Sequence, residues 1–250
     1  VNPTFRRYAE KIIRTLMAHV QHHPAIIGWQ LDNETKHYDN IGRYMQEGFV
    51  RSLQEKYPDL RQLNRDFGLD YWSNRIDRWQ DFPPVENTIN ASLACAFSRY
   101  QRQQVTEYLA WQAAIVREYA QPHQFVTHNF DFEWRGYSYG VQPRVDHFAA
   151  AQALDIAGVD IYHPSQAHLT GREIAFGGAI TRSLKPGQNY FVLETQAQGF
   201  AQWTPFPGQL RLQAFSHIAS GAAMVSYWHW HSIHNAFETY WKGLLSHDFS

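Results

Sequence analysis

Cysteine and long apolar runs are nearly missing from this chain of 250 residues. Its single cysteine, Cys95, excludes an internal disulfide and argues against a cysteine-ligated zinc site. Cys95 lies in a helical pattern, and we predict that it is a small core residue. No apolar run approaches the roughly 18 residues of a membrane-spanning helix, and no signal peptide opens the chain. These absences predict a cytoplasmic protein without a membrane partner.

An excess of charge of one sign is also missing. The 22 basic and 23 acidic residues give a formal net charge of -1, without a basic patch of the kind that binds nucleic acid. Aromatic residues are plentiful, at 16% of the chain. Carbohydrate sites use flat aromatic side chains against the apolar faces of sugars, although a hydrophobic core uses them too.

Two short apolar stretches end in a carboxylate. Residues 26–33 lead to Glu34, and residues 190–193 lead to Glu194. In a parallel α/β barrel the carboxyl ends of the strands carry the catalytic groups, so the two glutamates can meet across the barrel mouth. Two facing carboxylates are what the hydrolysis of a glycosidic bond requires. Either acid alone could instead cap a helix or join an ion pair.

The remaining pattern alternates strands with helices. Five predicted strands follow an amino-terminal helix at residues 3–20, and each ends in polar or aromatic residues. They cover residues 26–33, 125–129, 156–162, 190–194 and 222–230. This alternation predicts a parallel sheet with helices outside, within one domain. The irregular stretch at residues 59–90 is long for a connection in a barrel, which is typical of a segment that sets specificity.

Histidine is frequent, and His229 and His231 would share one face of a strand. Without a third ligand in the pattern, pocket lining is favoured over metal binding. Asp32 and Asp160 are interpreted as ordinary hydrogen-bonded acids.

The ordered motifs of the chain resemble those of glycoside hydrolase family 42, the β-galactosidases. They are GWQLDNE at 28–34, THNF at 127–130, ETQ at 194–196 and WHWHS at 228–232. The resemblance spans nearly the whole chain and implies the (β/α)8 TIM barrel of glycoside hydrolase clan A, an α/β fold. It places residues 1–250 as a partial catalytic domain, from about the third helix to after the eighth strand.

The same resemblance implies roles for particular residues. Glu34 would be the general acid/base and Glu194 the nucleophile of a retaining, two-step mechanism that uses no metal or other cofactor. Asn33 would bind the sugar 2-hydroxyl group. Further residues match positions that line the galactosyl site: Asn129, Tyr162, Trp203, Glu238 and Trp241, the last where some relatives carry a sugar-contacting histidine. The substrate would be a β-galactoside or a galacto-oligosaccharide.

Two departures from the family shape the expectations. Some members carry a zinc-binding cysteine cluster after the acid/base strand, and this chain has none there. The family barrel also begins with three βα units, one of which supplies a sugar-binding arginine. We therefore expect a fragment whose five strands do not close a barrel and whose parallel edges promote aggregation. The full-length protein could form a homotrimer.

Two alternative functions remain open at this point. A clan A glycosidase with another specificity, such as a β-glucosidase or an α-L-arabinopyranosidase, would use the same two acids. An inactive carbohydrate-binding fragment would retain the glutamates without turnover.

Overall fold

Strands that alternate with helices build the molecule. The computed structural model describes residues 2–132, 141–163, 170–198, 204–235 and 237–249. The helices are α1 (Pro3–Val20), α2 (Arg43–Lys56), α3 (Leu60–Asp66), α4 (Ala91–Arg117), α5 (His147–Ala151), α6 (Arg172–Leu184) and α7 (Gln209–Ala219). The strands are β1 (Gly28–Gln30), β2 (Phe125–Thr127), β3 (Asn129–Asp131), β4 (Gly158–Asp160), β5 (Tyr190–Gln196) and β6 (Ala222–Trp228).

All the strand pairs are parallel. One sheet joins β1 to β2, and a second has the order β3-β4-β5-β6. The predicted strand at residues 125–129 corresponds to β2 and β3, which His128 separates, so the five predicted strands appear as six short ones. Sequential parallel pairing with helical crossovers is the pattern of a (β/α)8 barrel, and this chain holds part of one.

Two apolar cores pack against the two halves of α4. The first is formed by α1, the carboxyl half of α4, α5 and the strands between them, with Leu109, Ala150 and Val126 at most 1% exposed. The second lies between α2, α3, the segment that follows and the amino end of α4, around Phe49 and Leu63. Residues 59–90 therefore pack around this second core, which they share with α2 and the amino end of α4.

The cap of α1 illustrates how local sequence sets these elements. Asn2 accepts a hydrogen bond from the amide of Thr4 at 2.8 Å, and Pro3 occupies the first turn, where its missing N–H costs nothing. Among the described residues, no helix is both long and apolar enough to cross a membrane.

The prediction for Cys95 was wrong. The residue lies in α4 as predicted, but its side chain is exposed. Its neighbours Leu93 and Phe97 take the buried face of the helix, and a residue two positions from each points away from that face.

Candidate active site

Glu34 follows the carboxyl end of β1, and Glu194 lies within β5. Glu194 follows the apolar part of β5 and is paired in register with Asp160 of β4. Glu34 follows β1 in a turn where both it and Asp32 have positive φ, 42° and 45°. Residues other than glycine occupy this region at an energetic cost, and such strain is concentrated at functional sites. The turn holds the Glu34 side chain at the edge of the sheet.

Three carboxylates converge there. Glu34, Asp160 and Glu194 each place an oxygen within 4.8 Å of the others. Asp160 is 2% exposed, whereas the two glutamates are half-buried. The structure thus brings together the two acids that the sequence predicted, and adds Asp160 as a third.

Asn129, at the start of β3, links these acids. Its amide nitrogen lies 2.7 Å from Oδ2 of Asp160, 2.9 Å from Oδ1 of Asn33 and 3.2 Å from Oε1 of Glu194. Its amide oxygen accepts from Nε2 of Gln30 at 2.9 Å and from the backbone N–H of Glu34 at 3.3 Å. One fully buried side chain therefore connects the elements that carry both glutamates.

Tyr162 and Trp241 complete the surroundings of Glu194. The Tyr162 hydroxyl donates to Oε2 of Glu194 at 2.7 Å. The ring of Trp241 lies 5.4 Å from that of Tyr162, between centroids, and Trp241 is buried. The orientation of Tyr162 is therefore fixed by a hydrogen bond at one end and an aromatic neighbour at its face.

The environment raises the pKa of both glutamates. Burial is the largest cause for Glu34, whose pKa is raised further by Asp131 and Glu194 and lowered by Lys36. Burial also raises the pKa of Glu194, and the hydrogen bonds from Tyr162 and Asn129 oppose that rise. No such bond reaches the Glu34 carboxylate from the described residues. Hydrogen bonds from the protein therefore stabilise the ionised form of Glu194 but not that of Glu34, which favours ionisation of Glu194.

Burial is also the largest cause of a raised pKa at Asp160. It raises the pKa of this carboxyl to about 9, with the neighbouring charges of Glu194 and Glu34 as the next causes. The raised pKa favours the neutral form of Asp160.

A buried histidine positions the turn that carries Glu34. Nδ1 of His128 lies 2.6 Å from the carbonyl oxygen of Leu31, and Nε2 lies 3.2 Å from the backbone nitrogen of Thr35. Because the Thr35 amide can only donate, Nε2 accepts and Nδ1 carries the proton. Burial lowers the pKa of His128, consistent with this neutral tautomer.

An ion pair lies close enough to Glu34 to affect its pKa. The Nζ of Lys36 contacts Oδ2 of Asp131, and Gln142 donates to the same oxygen at 3.0 Å. Sequence reasoning did not identify Lys36, Asp131, His128 or the central part of Asp160. The signal available was that each lies within two residues of a predicted site residue.

The other predicted site residues differ in what can be said of them. Glu238 is exposed and acts on Glu194 through its charge, which raises the pKa of that acid. Trp203 lies outside the described residues. His229 and His231 belong to no potential metal group within the described ranges, where Glu34, Asp160 and Glu194 form the one set close enough to share an ion.

A cavity of about 440 Å³ opens beside the Glu34 turn, between α1, α2 and α4. It is lined by Asp32, Lys36, Tyr38 and Tyr108 among others, but by none of the three convergent carboxylates. We place the chemistry at the carboxylates, since the donor and acceptor contacts meet there, and the cavity adjoins that site.

Paired carboxylates at the carboxyl ends of parallel strands in part of a (β/α)8 barrel are typical of glycosidases. A family model for glycoside hydrolase family 42, described as β-galactosidase, matches residues 1–250. The chain belongs to this family.

Individual relatives agree with this assignment. The chain is 29% identical over 272 residues to β-galactosidase BgaH of Haloferax lucentense, covering 99% of this chain and 39% of the relative. It is 30% identical over 269 residues to a β-galactosidase of Thermus thermophilus, covering 97% of this chain and 40% of the relative. The chain therefore spans about two fifths of the length of these relatives.

Solved structures show the same fold. The polyextremophilic β-galactosidase of Halorubrum lacusprofundi superimposes with a TM-score of 0.86 at 24% identity, over 100% of this chain and 39% of that one. Gan42B, a β-galactosidase, gives a TM-score of 0.88 at 23% identity, over 100% of this chain and 38% of that one. The prediction of a partial TIM barrel is confirmed.

Proposed function

We propose that this chain carries the catalytic centre of a retaining β-galactosidase, with Glu194 as nucleophile and Glu34 as general acid/base. The observation that carries the proposal is the approach of their carboxylate oxygens to within 4.8 Å. Retaining glycosidases hold their two carboxyl groups about 5–5.5 Å apart, whereas inverting enzymes leave about 6.5–9.5 Å for a water molecule. The short separation supports retention.

The hydrogen bonds support the division of roles. Glu194 accepts from Tyr162 and Asn129, which stabilise its ionised form for attack on the anomeric carbon. Burial and negative neighbours raise the pKa of Glu34, which favours the protonated form that can donate to the departing oxygen.

Each step follows from that starting state. Attack by Glu194 forms an ester to the sugar while the Glu34 proton passes to the leaving oxygen. The ester removes the negative charge of Glu194, so the pKa of Glu34 falls. Glu34, now ionised, takes a proton from water, and the resulting attack releases the sugar and restores both acids.

The other predicted residues would bind the sugar. Asn33 is exposed beside Glu34 and is oriented by Asn129 through its side-chain oxygen, which leaves its amide nitrogen available to a hydroxyl group. Trp241, Glu238 and Trp203 stay proposals as galactosyl-site residues, with the packing of Trp241 on Tyr162 in support of the first.

Azide rescue tests the roles in the whole gene product that contains this chain. We expect Glu194→Ala to abolish hydrolysis of an aryl β-galactoside, and azide to restore turnover with an α-galactosyl azide product. Glu34→Ala should give the β-galactosyl azide, since the nucleophile is still present. Glu107→Gln, an exposed acid on α4, serves as the control. Wild-type activity in Glu194→Ala would contradict the assignment.

A panel of aryl glycosides tests the sugar. The names of the relatives support galactose, and we expect aryl β-galactosides to give the highest kcat/KM. A higher kcat/KM for β-glucosides or α-L-arabinopyranosides would indicate one of the other clan A specificities. Binding of a glycoside without turnover would indicate an inactive fragment. The assignment of residues 1–250 as one partial catalytic domain, the cytoplasmic location and the homotrimer stay predictions.

A further inference from the structure

Asp160 is the one member of the carboxylate cluster with no role in the proposed mechanism. Its Oδ2 accepts from Asn129 at 2.7 Å, while its Oδ1 is buried without a partner among the described residues. An ionised carboxylate would leave a charged, desolvated oxygen there, which is costly. A proton on Oδ1 removes that charge and leaves Oδ2 as a neutral acceptor beside Asn129.

The amide of Asn129 has more acceptors than protons. Its nitrogen carries two N–H groups but faces oxygens of Asn33, Asp160 and Glu194. A hydrogen bond to an ionised acceptor is stronger than one to a neutral acceptor. An ionised Asp160, the shortest of the three contacts, would hold the amide against itself and weaken its bond to Glu194.

We propose that Asp160 is a positioning residue that stays protonated between the two catalytic glutamates and so leaves the Asn129 amide to serve Glu194 and Asn33. This inference rests on the proposed function and adds to it a determinant of the charge state of the site. Because Asp160 does not touch the reacting atoms, it affects the formation and the hydrolysis of the sugar ester in the same way.

Every acidic group around Asp160 favours this state. Glu194 on β5 and Asp131 on β3 raise the pKa of Asp160 through their negative charges, and Glu34 after β1 does so whenever it is ionised. Tyr162, two residues along the chain, donates its proton to Glu194. Lys36, a cation that acts on Glu34, is bound to Asp131.

Two substitutions of Asp160 in the whole gene product separate a neutral acid from an ionised one. Asp160→Asn keeps the acceptor for Asn129 and the neutral charge, so we expect kcat/KM within about fivefold of wild type. Asp160→Ala leaves a buried space into which the Asn129 amide can turn away from Glu194 and Asn33, and should lower kcat/KM by about 100-fold. Equal loss in both variants would overturn the proposal.

The pH profile of kcat/KM is the decisive kinetic readout. A neutral Asp160 predicts that both limbs of the profile stay in place in Asp160→Asn. If Asp160 is ionised, its replacement removes a negative charge, the pKa of each glutamate falls, and both limbs move to lower pH. Asp131→Asn is the matched control: Asp131 raises the pKa of Glu34, so its replacement should move the basic limb to lower pH.

Infrared difference spectroscopy gives an answer that does not require activity. Wild type minus Asp160→Asn at pH 7 should contain the carbonyl band of a protonated carboxylic acid, lost as the pH rises through about 9. A carboxylate band in its place would overturn the proposal. If wild type hydrolyses no glycoside, the proposed function fails, while this spectrum still decides the state of Asp160.

Discussion

Asn129 holds together residues that are far apart in sequence. Its side chain binds Gln30 and the Glu34 backbone through the oxygen, and Asp160, Asn33 and Glu194 through the nitrogen. Because these partners come from three separate stretches of chain, removing the amide disturbs Glu194 and Glu34 together.

We therefore expect Asn129→Ala to lower kcat/KM for an aryl β-galactoside by about 10²–10³-fold, the range seen when one preorganised donor is removed. Steady-state kinetics of the whole gene product would measure it. Asn74→Ala, which removes an exposed amide bonded only to nearby backbone, is the matched control and should be silent. Activity within a few-fold of wild type in Asn129→Ala would contradict the central position of this side chain.

Tyr162 gives a prediction with a definite sign. Its hydrogen bond lowers the pKa of Glu194, in opposition to the effect of burial. In Tyr162→Phe the pKa of Glu194 should rise, so the nucleophile becomes protonated at higher pH and the acidic limb of kcat/KM moves upward. The profile of Tyr57→Phe, in the second core, provides the control. A limb that stays in place would show that the 2.7 Å contact does not tune the acid.

At the scale of elements, close contact between strands limits what can be changed. Gly158 of β4 is paired in register with Asn129 of β3, and a Cβ there would lie 2.7 Å from the backbone oxygen of His128 and 2.3 Å from Cδ1 of Leu193. The backbone contact leaves little room for relaxation. Glycine at this position lets β4 approach the chain where β2 ends and β3 begins.

Gly158→Ala should lower the free energy of unfolding by about 1–3 kcal/mol, the usual cost of overpacking, and should reduce activity by moving Asn129. Urea denaturation with parallel kinetics would test both effects. Gly42→Ala, where no atom lies within 4 Å of the added Cβ and φ is -60°, should leave both unchanged. Equal stability of the two variants would mean that the strands separate without cost.

Sequence reasoning located most elements because their signals are local. Apolar periodicity placed α1, α4 and α6, and strand-length apolar runs that end in polar groups placed β1, β4, β5 and β6. The break at His128 escaped it, because that residue leaves the strand pattern to bind the Leu31 carbonyl and the Thr35 amide, 97 and 93 positions away. The protonation of Asp160 also escaped it, since only folding brings three carboxylates together.

For the whole molecule, exposed apolar side chains lie on both flanks. On α1 they include Ile12, at 68% exposed, and on α7 Leu212, also at 68%. Among the described strands, β1 and β6 each have one neighbour, so each sheet presents a parallel edge. Such edges and patches promote association between chains.

The 250-residue chain by itself should therefore self-associate with rising concentration. The pair Ile12→Lys and Leu212→Lys should shift it toward monomer in sedimentation velocity, because both flanks lose apolar surface and gain charge. The control pair Gln103→Lys and Gln152→Lys adds the same charge at exposed polar positions and should change little. A monodisperse monomer at every concentration in the unmodified chain would refute this expectation.

The helix α4 has 27 residues and a length of about 40 Å, and its two halves belong to different cores. Leu93 and Phe97 pack in the core around Phe49, whereas Leu109 and Ala113 pack beneath the strands. No buried residue is common to both cores. The outer lobe, formed by α2, α3, residues 67–90 and the amino half of α4, can therefore be redesigned as a separate module. Protein engineers can thus remodel this lobe while the inner half of α4 keeps the strands beneath the acids in place.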